Sequence, residues 1–342
     1  MNPRLVTIFR YLFFLALGAF FAWLSVRNID SERWDHIRTS LGQARKWLFV
    51  PVLFLLLLSH YSRSIRWKIL MEPLGYSPSN FNVFAAVMVG YLVNAGVPRL
   101  GEVVKCTMLA RYEKVRADRL VGTIVVERAV DVLCLLVVFF LSLVLEGDVI
   151  GDYMRQKLLL FFHDKSGNLS AGKLLAAAAG GAALVGLLIV VLKRFGHIDF
   201  IARIKKILLG IWHGLNSIRF IRRKREFLFH TLLIWTLYLL STTIGIYALK
   251  ETAHLGLGGG LTTLAVGSVG MILTPGGIGA YPLLVAELMG LYGLDSSTVG
   301  TALGWLLWSS QTFIVLVTGL ACLALVSRHN RNRALAAKHP AG

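Results

Sequence analysis

The sequence predicts an all-α polytopic membrane protein. It reads as an inverted repeat of three spans plus a re-entrant helical hairpin each, with both ends on the cytoplasmic side. Three observations predict this. Of 342 residues, 56% are hydrophobic and 16% charged, against about 45–50% and about 25% in soluble chains, and the mean hydropathy is +0.67. Six apolar stretches reach the roughly 20 residues that a helix needs to cross a bilayer. Two shorter apolar stretches, in corresponding places of the two halves, are broken in the middle by proline and glycine. These features exclude a soluble enzyme, a disordered chain and a disulfide-framed domain. The three cysteines, Cys106, Cys134 and Cys322, stand singly with no C-x-x-C spacing, and the nine histidines show no paired spacing, so no metal and no cofactor are expected.

The six spans are expected at about 5–26, 47–70, 119–145, 172–192, 227–249 and 298–326. The first is too long for a signal peptide and lacks a small-residue cleavage site after its core. With the N-terminus inside, 25 of the 36 Lys and Arg fall on the inner side, 10 on the outer side, and Arg128 lies within a span. That bias is the one expected of an inner (plasma) membrane protein with both ends cytoplasmic. The outer segment 27–46, with five cations diluted by Asp30, Glu32 and Asp35, reads as a loop.

Much of the positive charge lies in 199–225. There Ile201, Ile204, Leu208, Ile211, Leu215 and Ile218 recur at helical steps, with Arg203, Lys205, Lys206 and the run Arg222–Arg225 off that stripe. Such a helix is expected to lie on the cytoplasmic leaflet against anionic lipid head groups. A nucleic-acid partner is not expected, because the cations sit beside spans on one side with no recognition motif.

The two broken stretches are each too short to cross comfortably. Residues 81–97 break around Asn94-Ala-Gly-Val-Pro98-Arg99-Leu-Gly101-Glu102 and return through 103–113. Residues 259–274 break at Thr274-Pro275-Gly276-Gly277-Ile278-Gly279 and return through 281–292. Proline removes a donor and glycine lets the backbone fold back, so both read as re-entrant hairpins, tolerated at that depth only when buried in protein or lining a wet cavity. Shifting the sequence by 178 residues places Gly101 on Gly279 and Val121-Gly122-Thr123 on Val299-Gly300-Thr301. Three complete crossings per unit would make the second copy enter from the opposite face, giving repeats over 1–150 and 151–342. Inverted repeats with broken helices at mid-depth mark transporters.

The chemistry concentrates between 94 and 131. Glu127 and Asp131 share a helical face, and Arg128 and Asp131 are close enough in sequence to pair. Ionisable residues inside a span usually face the bundle interior or a cavity. They read here as the polar wall of a head-group cavity, or as a cluster that only locks helix packing. At the first tip, the helix start near Gly101 aims free N–H groups inward, with Arg99 and Lys105 adding charge, which suits an anion. Arg63 and Arg66 would extend this path to the cytoplasmic surface. The second tip offers Gly276, Gly277 and Gly279 for close approach and Tyr281 as a hydroxyl. Trp308 and Gln311 are candidates for the cavity wall opposite the charges.

Asn94-x-x-x-Pro98-Arg99-x-Gly101-Glu102, then Glu127-Arg128-x-x-Asp131, then Pro275-Gly276-Gly277-x-Gly279 resemble the successive signatures of the flippase-like family, also called the lysylphosphatidylglycerol synthase transmembrane domain family. The resemblance covers about 5–326. It implies a bacterial inner-membrane protein that moves an anionic, aminoacylated or polyprenyl-linked lipid between leaflets. Arg99, Glu102, Glu127, Arg128 and Asp131 would be its functional positions. The family commonly has a glutamate after the second glycine motif where this chain has Pro282. The soluble aminoacyl-transferring domain of bifunctional relatives has no counterpart in these residues, so synthesis of an aminoacyl lipid is not expected. The reading is a lipid transporter, not an enzyme, with Glu102, Glu127 and Asp131 as candidate proton carriers. The rival readings are a membrane-embedded lipid-modifying enzyme, a small-solute secondary transporter and a non-catalytic partner of envelope-lipid synthesis.

Overall fold

The computed structural model describes residues 16, 18–25, 27, 29–97, 99–149, 151 and 221–338. The expected span at 172–192, most of that at 5–26, the amphipathic stretch 199–225 up to residue 220, and Pro98 lie outside them. Among the described residues the regular structure is helical, with no strand. After helical residues 18–25 come α1 (Ser31–Gln43), α2 (Phe49–Met71), α3 (Asn80–Gly96), α4 (Leu100–Glu113), α5 (Ala117–Leu145), α6 (Lys224–Ile246), α7 (Gly256–Leu273), α8 (Ala280–Leu291) and α9 (Thr301–Lys338).

Five helices are long and apolar enough to cross a membrane: Lys46–Leu74, Ala117–Leu145, Lys224–Ile246, Ala253–Leu273 and Ser296–Arg333. Three of the expected spans match closely, and the fourth, expected to end at 326, continues as helix to Lys338. Two expectations need correction. The segment 27–46 is not a loop: Asp30 caps α1 by accepting from the Arg33 N–H at 2.9 Å, and Ile37 is buried. The first arm of the second broken stretch begins at Gly256, preceded by a 3₁₀ turn at Ala253–Leu255, so together they are long enough to span.

Both breaks fall where proline and glycine put them, but they differ in backbone. In the first, Arg99 alone among the described residues adopts a left-handed conformation (φ 66°), which costs a residue with a Cβ about 1–2 kcal/mol. In the second, Gly276, Gly277 and Gly279 share that role, with φ of 58°, 72° and 72°.

The two largest of the apolar clusters among the described residues form one around each broken pair. Trp67, Ile69 and Met71 of α2 meet Val83, Val87, Cys106, Leu109, Leu120 and Ile124 around α3 and α4. Ile246 and Leu249 meet Tyr281, Val285, Leu288, Met289, Leu303 and Leu307 around α8. The helix ends sort into two sets. In one, Arg223 bonds Glu72 at 3.0 Å, Asn82 bonds Asn330 at 2.9 Å and Arg333 bonds Glu113 at 2.8 Å. In the other, the Arg45 N–H donates to the Ala248 carbonyl at 2.8 Å and Ser40 to Glu251 at 3.1 Å. The outer ends of α3 and α4 belong to the first set, and the 248–251 turn just before α7 belongs to the second. The two tips meet between them: a Cβ on Gly276 would stand 3.2 Å from the Ala95 Cα.

Candidate functional site

Three helices, α2, α4 and α5, supply a charged cluster beside this meeting point. The buried residues of α5 recur at helical steps, Leu120, Thr123, Ile124, Glu127 and Val130, so the packed stripe carries Glu127 inward. On α2, the C-terminal half is buried on nearly every side, which takes Arg63 and Arg66 into the interior. On α4, Gly101 and Gly90 allow α3 and α4 to touch, since a Cβ on Gly101 would lie 1.9 Å from the Gly90 carbonyl oxygen. That contact seats Lys105 against α5.

The pairs are close. Lys105 Nζ donates to Glu127 Oε2 at 2.8 Å, and Arg63 Nη1 to Glu127 Oε1 at 3.3 Å. Arg63 Nη1 also donates to Asp131 Oδ2 at 2.6 Å, and Arg66 Nη2 to Asp131 Oδ1 at 2.7 Å. Glu127 is 4% exposed and Arg66 fully buried. The Lys105 ammonium also stands 3.9 Å from the centre of the Trp67 ring, and the Trp67 indole N–H donates to the Thr123 hydroxyl at 2.8 Å. A desolvated cation over an indole gains about 2 kcal/mol.

The expected pairing of Arg128 with Asp131 does not form. Arg128 turns away from the packed stripe and holds Glu102 at 2.9 Å, a half-exposed bridge between α5 and α4. Nor do Arg63 and Arg66 lead to the surface, because both are buried against the two acids. The free N–H groups expected at the start of α4 are partly used as well. Asn94 Oδ1 accepts from the Gly101 N–H at 2.8 Å and the Val97 carbonyl from the Leu100 N–H at 3.3 Å. Arg99 is exposed at the tip, outside the cluster, with no hydrogen bond or ion pair among the described residues.

A cleft opens onto the cluster from between α3, α4 and α5. Val87, Tyr91, Asn94, Glu102, Lys105, Glu127 and Arg128 line it. Its enclosed free volume is about 10 Å³, room for about one water unless side chains move.

The second-tip candidates come together, but as a brace and not as cleft wall. Trp308 Nε1 donates to the Gly276 carbonyl at 2.8 Å, and Gln311 Nε2 to the Tyr281 hydroxyl at 3.3 Å. Tyr281 is buried against Gly267 and Gly270, while Gly279 abuts residues 21 and 22 of the first helical segment. Glu287 is exposed on α8.

A family model described as the lysylphosphatidylglycerol synthase transmembrane region matches residues 11–319 of the chain. The chain belongs to this family. A relative in the family's company is the UPF0104 membrane protein MJ1595 of Methanocaldococcus jannaschii, 25% identical over 272 residues that cover 71% of this chain and 78% of that protein. No solved structure matches the chain. The match of this family member includes the whole 94–131 cluster, both breaks and the Trp308 brace.

Two parts of the site escaped the sequence reading. Trp67 and Thr123 hold Lys105 in place, and the only signal was their position on the same helix faces as Arg63 and Glu127. Asn82 bridges Glu113 and Asn330, with Arg333 on the same Glu113 oxygen. Those residues lie up to 248 positions apart, beyond any local pattern.

Proposed function

We propose that this chain moves a phosphate-bearing membrane lipid between leaflets. Its head group would enter the cleft between α3, α4 and α5 while its hydrocarbon chains stay in the bilayer. The carrying observation is the buried ion cluster on the cleft floor beside the junction of the two tips. Charges in a span are costly and are kept where a polar pathway needs them. Family membership gives a membrane protein and is compatible with a lipid-related role, and the site adds the polar groups that a head group requires.

In this reading the α3–α4 and α7–α8 pairs are re-entrant hairpins that enter from opposite faces, in inverted repeats over 1–150 and 151–342. The opposed placement of their outer ends and the touching tips support that reading. Both chain ends face the cytoplasm of a bacterial plasma membrane, as the charge bias favours. The narrowness of the cleft makes this an occluded conformation, in which the Glu102–Arg128 bridge closes the side toward lipid. Glu102, Glu127 and Asp131 are the candidate proton carriers for coupled movement.

Reconstitution into vesicles carrying fluorescent phosphatidylglycerol tests the proposal, with dithionite quenching reporting the leaflet. Transbilayer movement is expected with the native chain and is expected to be lost in Glu127→Gln. Movement absent in the native chain, or unchanged by that substitution, overturns the reading.

A further inference from the structure

Among the described residues the buried cluster does not balance. Arg63, Arg66 and Lys105 supply three positive charges, and Glu127 and Asp131 supply two negative ones. The Glu102–Arg128 bridge beside it is neutral as a pair. Donors are in surplus too: Arg63 Nε, Arg66 Nε and Arg66 Nη1 are buried with no acceptor among the described residues. An unmatched charge away from water is strongly unfavourable. One monovalent anion would close the account.

Lys105 is where that anion would bind. Of the three cations it alone lines the cleft. It has one carboxylate contact, whereas each arginine reaches both acids. Glu127 is held from two sides, by Lys105 on Oε2 and by the arginines on Oε1. Withdrawal of the ammonium therefore leaves the carboxylate still compensated. The geometry points to Lys105 as an exchangeable anchor that leaves Glu127 to hold a singly charged phosphodiester head group in the cleft, with Arg63 and Arg66 taking over the carboxylate. This rests on the lipid-transport reading for the source of the phosphate but concerns binding alone.

The test uses the purified full chain in phosphatidylcholine nanodiscs. Phosphatidylglycerol, a phospholipid with one negative charge and no ammonium, is titrated in, with inorganic phosphate as the soluble arm. Affinity is read from the shift in melting temperature. Lys105→Met keeps the stem packed on Trp67 and removes the surplus charge. It is expected to weaken phosphatidylglycerol binding roughly tenfold or more. Lys105→Arg is expected to bind.

A purely structural lysine gives the opposite result: a lower melting temperature with binding unchanged, which overturns the assignment. If Lys105→Met does not fold, Glu127→Gln decides. It frees the ammonium, so the shift induced by phosphatidylglycerol must grow; an equal or smaller shift overturns the inference. Stabilisation by inorganic phosphate but not by phosphatidylglycerol overturns the lipid assignment. Binding through Lys105 without transbilayer movement removes the transport reading and leaves this inference standing. Movement in the native chain together with unchanged phosphatidylglycerol binding in Lys105→Met does the reverse.

Discussion

Gly276 and Ala95 touch where the two broken helix pairs meet, and a Cβ added to Gly276 would fall 3.2 Å from the Ala95 Cα and 3.6 Å from its Cβ. The glycine also has φ 58°. Gly276→Val therefore meets two penalties, about 1–2 kcal/mol for a left-handed backbone with a Cβ and about 1–3 kcal/mol for overpacking. A lower melting temperature in detergent is expected, and an unchanged one would show that the tips do not press together.

Gly101 and Gly122 should respond in opposite directions to alanine. A Cβ at Gly101 collides with the Gly90 carbonyl and the Asn94 side chain, whereas nothing lies within 4 Å of one at Gly122. Gly101→Ala is expected to cost about 3 kcal/mol or more by parting α3 from α4. Gly122→Ala, inside α5, is expected to be neutral or to gain up to about 1 kcal/mol of helix preference. Thermal unfolding of the two variants side by side checks the pair.

Among the described residues, Asp131 is the sole carboxylate within 3 Å of either buried arginine. Asp131→Asn strands their charge and is expected to cost about 3–5 kcal/mol. Adding Arg66→Met restores the native charge count. The double variant should then recover about 1 kcal/mol or more relative to the sum of the singles; additivity in that double-mutant cycle would mean the pair is not coupled.

Trp308→Phe keeps the ring and deletes the donor to the Gly276 carbonyl. A loss of about 1 kcal/mol is expected, together with faster amide exchange confined to 274–279. Exchange that speeds up across all of α9 instead would place the role of Trp308 in helix packing.

At the far end of α9, neighbouring contacts should differ in weight. Arg333 is half exposed, so Arg333→Ala is expected to cost under about 1 kcal/mol. Asn330→Ala leaves the buried Asn82 amide short of a partner and is expected to cost about 1–3 kcal/mol. Equal losses would show that the ion pair, and not the amide pair, secures this junction.

Hydropathy and the punctuation by proline and glycine made the spans near 47–70, 119–145 and 227–249 and both breaks legible within a few residues, because lipid demands long apolar runs and a fold-back demands residues that permit it. The types of residue in the charged cluster were equally visible. Their partners were not. Arg128 and Asp131 are three apart and free to pair on an isolated helix, but the packed stripe of α5 turns Asp131 toward α2 and leaves Arg128 to α4. Arg63 and Arg66 looked like a route to the surface because a count along the chain does not show that α2 is surrounded. The capping of α1 by Asp30, with Glu32 in its first turn, was a readable local signal inside a segment dismissed as a loop for its charge.

α9 runs 38 residues without interruption, about 57 Å of helix, nearly twice the apolar thickness of a bilayer. Trp308 grips the second tip near one end, and Asn330 grips the outer end of α3 about 33 Å away. A stiff rod clamped at both places acts as a connecting lever. Tilting it at the tip must swing its far end, so the outer end of α3 would move together with the Gly276 turn.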